Sequence, residues 1–145
     1  MTTRTFGLAG LLRLRTIEQD QAGVVLATAN SRSRALHART SAARRELGDA
    51  PVEVSSTQAL RMAAISRASS RSMLSDLIAL EAIQNEETAA AQADYLAARS
   101  RTVGLEKLEA KHTAGVMAKD LAVEQDALDE ISSSTRFRAK EAASA

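Results

Sequence analysis

Twelve apolar residues in the second half of this chain follow one another at steps of three, four or seven: Leu74, Ile78, Ala82, Ala89, Leu96, Val103, Ala110, Ala114, Met117, Leu121, Leu128 and Ile131. Such steps hold side chains on one face of a helix, and so narrow a strip suits a partner helix better than a broad core. The chain is therefore expected to be a rod that works by contact. Composition agrees. Two Phe, one Tyr and no Trp leave few of the bulky side chains from which compact cores draw their buried area. Alanine, leucine, glutamate, arginine and glutamine, the strong helix formers, dominate instead.

A second strip, Leu11, Leu14, Ala22, Val25, Ala29, Leu36, Ala43 and Leu47, predicts a first helix from about Phe6 to Leu47. Gly48 sits where a left-handed glycine would end it, and Pro51, the only proline, follows. The loop is expected over 48–55. Ser55 and Gln58 have capping-box spacing, so helix two should begin near 56 and run to about Arg138. Ser66, Ser69, Ser70 and Ser72 mark the expected place for any kink or break, over 66–72. The fold class that follows is all-α, a long antiparallel two-helix coiled coil (a helical hairpin) with an extended second helix. At 1.5 Å per residue the helices would span roughly 60 and 120 Å. In the simple hairpin, favoured because it needs no break, Leu8 lies opposite residues near 96 and about forty C-terminal residues form an unpaired arm. A fold at the serines would instead set Arg13 and Arg15 against the acidic block 120–130.

Charge is divided along the chain. Residues 1–48 carry eight Arg against Glu18, Asp20 and Glu46, and the remainder carries eleven bases against fifteen acids. Opposite balances of +5 and −4 weakly favour pairing of the two halves. The acidic blocks 76–94 and 120–130 argue against a nucleic-acid stripe or a membrane-lying helix. The absence of cysteine excludes disulfides and thiolate chemistry. No apolar run reaches membrane-span length, and Arg13 and Arg15 interrupt any leader-like segment, so a cytoplasmic protein is expected. His37 and His112 lack ligand-spaced neighbours, the glycines do not cluster, and no serine sits in a nucleophile elbow. An enzyme, a cofactor and a metal site are not expected.

The two ends carry the sharper pattern. Leu8-Ala-Gly-Leu11-Leu12-Arg13-Leu14-Arg15 leads to Glu18, and Glu124-Gln125-Asp-Ala-Leu128-Asp129-Glu130-Ile131 closes the acidic block. Asp129 and Glu130 lie late in a helix, where the macrodipole disfavours acids. In these segments, in a weaker echo at Leu105-Glu-Lys-Leu108, and in its layout of basic first helix, loop and long second helix, the chain resembles the FliJ family of flagellar type III export proteins. The resemblance implies a soluble, stalk-like coiled coil, similar to the central stalk of rotary ATPases. Its ends would engage a hexameric flagellar export ATPase, promote ring assembly, and couple it to a membrane export gate and to export chaperones. Carried over, Leu11, Arg13, Arg15, Glu124, Gln125, Leu128, Asp129 and Glu130 would face the ATPase. Leu60 and Ala64 would supply the gate contact, without the aromatic that the family uses and with Arg67 nearby. The implied place is the cytoplasmic face of the cell membrane at the flagellar base. Two alternatives accompany this expectation: the equivalent stalk of a virulence-type secretion system, and a generic coiled-coil scaffold or dimerisation rod.

Overall fold

A computed structural model describes residues 5–49 and 55–143, with side chains to residue 138. Two helices account for nearly all of them: α1, Ala9–Asp49, and α2, Thr57–Ala143. They pack against each other antiparallel, and among the described residues there is no strand. The fold class is the expected all-α pairing with a much longer second helix.

Helix ends depart from expectation by a few residues. Gly48 lies inside α1 and no described glycine has positive φ, so the helix does not end on a left-handed cap there. Pro51 lies outside the described residues. At the start of α2 the Ala59 amide donates to the Ser56 hydroxyl at 3.2 Å, which makes Ser56 the N-cap in place of Ser55. The third helical position is then Ala59, and the reciprocal half of a capping box is missing. The helix runs unbroken through 66–72 and on past Arg138 to Ala143. A second hydroxyl run explains the far end. Ser132, Ser133 and Ser134 each donate to the carbonyl three residues back, and Thr135 to the carbonyl of Ile131, at 2.7–3.0 Å. Those hydroxyls are satisfied within the helix and do not compete with it from outside.

Contacts divide the chain into two units. One comprises residues 16–100 and the other 1–15 with 101–145. Residues 16–100 form a hairpin whose seam is read from burial. On α1 the half-buried and buried positions include Gln19, Ala22, Leu26, Ala29, Ser33, Leu36, Thr40, Ala43 and Leu47, alternating steps of three and four. On α2 they include Ser70, Leu74, Leu77, Glu81, Gln84, Thr88, Ala91, Tyr95 and Ala98, with the same alternation. This is an uninterrupted heptad seam on both helices. The pairs Gly23 with Tyr95 and His37 with Glu81 each add to 118, which fixes the register. Seam layers then fall where residue numbers add to about 117, setting Ala22 against Tyr95, Leu26 against Ala91 and Ala43 against Leu74.

That register differs from the sequence expectation, in which paired numbers would add to about 104. The bulkiest seam residue marks the register that is adopted. A Cβ placed on Gly23 would lie 3.6 Å from Tyr95 Cε2, so the ring fills the space that Ala22 and Gly23 leave open. In the expected register the ring would meet Ala9 and Gly10, a pair as small as Ala22 and Gly23, so its fit alone does not choose between the two registers. One consequence concerns the closed end. In this register Asp49 stands level with position 68, and α2 begins at Thr57. The first three turns of α2, about 16 Å, therefore project past the end of α1.

The seam is also not the apolar stripe that the sequence displays. Of the twelve α2 residues in that stripe only Leu74 and Val103 are half-buried. Ile78, Leu96, Met117, Leu121, Leu128 and Ile131 are 43–66% exposed. On α1, Ala22, Ala29, Leu36, Ala43 and Leu47 do face the partner helix, whereas Leu11, Leu14 and Val25 do not. Polar residues take the vacated places. Thr40 is 1% exposed and donates to the Leu36 carbonyl at 3.1 Å, and Thr88 donates to the Gln84 carbonyl at 2.8 Å. A threonine bonded to its own helix presents its methyl group to the seam, so it buries at little polar cost.

Candidate functional site

The N-terminal set lies in the unit formed by residues 1–15 and 101–145. Here the Phe6 ring packs against His112 with centroids 5.7 Å apart and planes tilted by 54°. Farther in, Thr102, 2% exposed, donates across to the Arg15 carbonyl at 3.1 Å. A backbone carbonyl inside a helix accepts a second bond readily, so this threonine ties the two helices at that level. Leu12 and Arg15 are half-buried on this seam, and Leu11, Arg13 and Leu14 point outward. Of the three α1 residues expected at an ATPase contact, two are presented to solvent, and Arg15 belongs in part to the seam.

The C-terminal set is fully presented. Val116 is the last half-buried residue of α2, and every residue from Met117 to Arg138 is exposed. Glu124, Gln125, Leu128, Asp129 and Glu130 all lie on this arm. Residues 120–131 hold five acids and no base. Met117, Leu121, Leu128 and Ile131, each more than 60% exposed, share one face with Glu124. Asp126, Asp129 and Glu130 occupy the opposite face. The arm is an amphipathic helix with an acidic back.

The two sets are not one patch. Leu11 stands level with α2 positions near 107, and Glu124 comes seventeen residues later on the same helix, about 25 Å along its axis. A partner that touches both must reach over that length.

Leu60 and Ala64 belong to the other unit, on the turns of α2 that outrun α1. Leu60 is 54% exposed, Ala64 is exposed, and Met62 and Ile65 beside them are each 64% exposed. The expected gate contact is thus part of a wider apolar surface.

Sequence reasoning passed over several residues that the structure brings together. His37 Nδ1 lies 2.7 Å from Glu81 Oε1, joining the helices across the seam from an exposed imidazole to a largely covered carboxylate. Gln84 lines an open groove with Val24, Val25, Thr28, Arg32 and Glu87, and its side-chain nitrogen is buried without a protein hydrogen-bond partner. Heptad bookkeeping on Tyr95, the lone tyrosine, would have found this seam. Among the described residues no three His, Asp or Glu side chains converge as metal ligands, and no helix is long and apolar enough to cross a membrane.

Comparison with known protein families, characterised proteins and solved structures finds no match to this chain.

Proposed function

We propose that this chain is a stalk-like component of a flagellar protein export apparatus, which binds a hexameric export ATPase and couples it to the export gate and to export chaperones. The observation that supports this reading is the arm, a helix that continues beyond its partnered stretch with Glu124, Gln125, Leu128, Asp129 and Glu130 all open to solvent. A charged helical end of this kind makes polar contacts that can be exchanged inside a ring, and it carries the C-terminal pattern of the FliJ family. Leu11 and Arg13 offer a second contact on the paired part, and Leu60 and Ala64 a separate surface for the gate. The work is done by contact, at the cytoplasmic face of the membrane near the flagellar base. A virulence-type secretion stalk would use the same parts.

Added to its cognate export ATPase, the intact chain is expected to raise ATP hydrolysis severalfold. A chain ending at Val116 should give no stimulation, while circular dichroism shows the remaining helices intact. Equal stimulation by the shortened chain would remove the arm from the mechanism. Stimulation of a virulence-system ATPase but not of the flagellar one would assign the chain to that system.

A further inference from the structure

The end of the hairpin where α1 finishes and α2 begins is basic, whereas residues 120–131 of the arm are acidic. Residues 39–73 carry Arg39, Arg44, Arg45, Arg61, Arg67 and Arg71 against Glu46, Asp49 and Glu53, six against three, a balance of +3. All but Arg67 are exposed. Among the described residues Arg39, Arg44, Arg61 and Arg71 meet no carboxylate within ion-pair distance. Helix energetics does not account for this layout. The first turn of α2 has no acid, and Arg61 follows directly, at the end of a helix where positive charge is unfavourable. Interleaved with these arginines are Leu60, Met62, Ile65 and Met73, 54–64% exposed.

We infer that this end docks on an anionic lipid surface, its arginines on headgroup phosphates and Met62 and Ile65, on the same face of α2 as Arg61, at the acyl boundary. Three features select that occupant. Every base at this end is arginine, whose planar fork matches phosphate oxygens. No aromatic residue stands among them to stack a base, which a nucleic-acid strand would need. Exposed Met62 and Ile65 next to Arg61 want an apolar medium, and a lipid surface supplies both phases. The projection of α2 past α1 brings Leu60 to Ile65 to the surface with no helix in front of them. This docking is independent of the ATPase reading, because it uses neither the arm nor the residues near Leu11.

The test is flotation of the full chain with vesicles of phosphatidylglycerol and phosphatidylethanolamine, compared with neutral phosphatidylcholine vesicles and with transfer RNA. Binding to the anionic vesicles is expected, weakened by salt and absent on neutral ones. Each arginine near the surface is worth roughly fivefold, so Arg44→Ala, Arg45→Ala and Arg61→Ala together should lower the partition about a hundredfold. Arg136→Ala with Arg138→Ala, on the arm, should change it little. Met62→Ser with Ile65→Ser should also weaken binding, with the charge left in place. All these positions are exposed, and circular dichroism checks that each variant is helical. Equal binding to neutral vesicles, no binding at low salt, an unaffected triple variant, or tighter binding to RNA than to lipid would each overturn the proposal.

Discussion

Replacing Ala91 by aspartate will unfold the hairpin of residues 16–100 well below the melting temperature of the parent chain. Ala91 is 7% exposed and faces Leu26 across the seam. An aspartate there would be largely covered between the helices, at the wall of the open groove that Arg32 and Glu87 also line. A carboxylate so placed costs about 2–3 kcal/mol in lost solvation, to which lost helix propensity adds roughly 0.5 kcal/mol. For a chain of this size that is on the order of 10 °C or more in thermal midpoint. The neighbouring Ala90 is exposed and serves as the control. Ala90→Asp should cost less than about 1 kcal/mol, mostly propensity. Thermal melts followed at 222 nm decide it. Similar losses at 90 and 91 would mean that the seam does not run where burial places it.

The second large effect is expected at Tyr95. Its ring is the largest side chain in the seam and covers Gly23. Tyr95→Ala leaves small residues facing one another and removes most of that layer, a loss of about 2–3 kcal/mol for a half-buried aromatic. It also removes the ring contact on Gly23 that marks this register. Tyr95→Phe keeps the ring and should behave like the parent within about 0.5 kcal/mol. If Ala and Phe destabilised equally, the hydroxyl and not the ring would be responsible, and the account of the register would be wrong.

Much of the fold was legible in the sequence, and one thing was misleading. Two helices, their approximate limits, the absence of a forced break and the antiparallel pairing all follow from periodicity and from the single Pro51. The face that pairs does not. Apolar residues surround both helices, so Ile78, Leu96 and Leu128 form a strip as regular as the true seam and more hydrophobic. What decides the seam is close approach. Ala22, Gly23, Ala29, Ala91 and Ala98 let the helices come together, and Thr40 and Thr88 hide their hydroxyls against their own backbone. Hydrophobicity scales count those threonines as polar, although their outward-facing surface is a methyl group. The His37–Glu81 contact was invisible for the same reason: Glu81 occupies a seam position that an apolar pattern would never assign to it. Of the candidate site, an exposed C-terminal arm was expected. Its starting point was not, because it follows from the pairing of Phe6 with His112, which leaves Val116 as the last half-buried residue.

Register is also where the account is most directly tested. The chain has no cysteine, so two can be introduced without background. His37→Cys with Glu81→Cys should form an intramolecular disulfide readily under mild oxidation, while His37→Cys with Arg67→Cys, about 21 Å farther along α2, should not. Efficient closure of the 37–67 pair and failure of the 37–81 pair would contradict both the seam and its register.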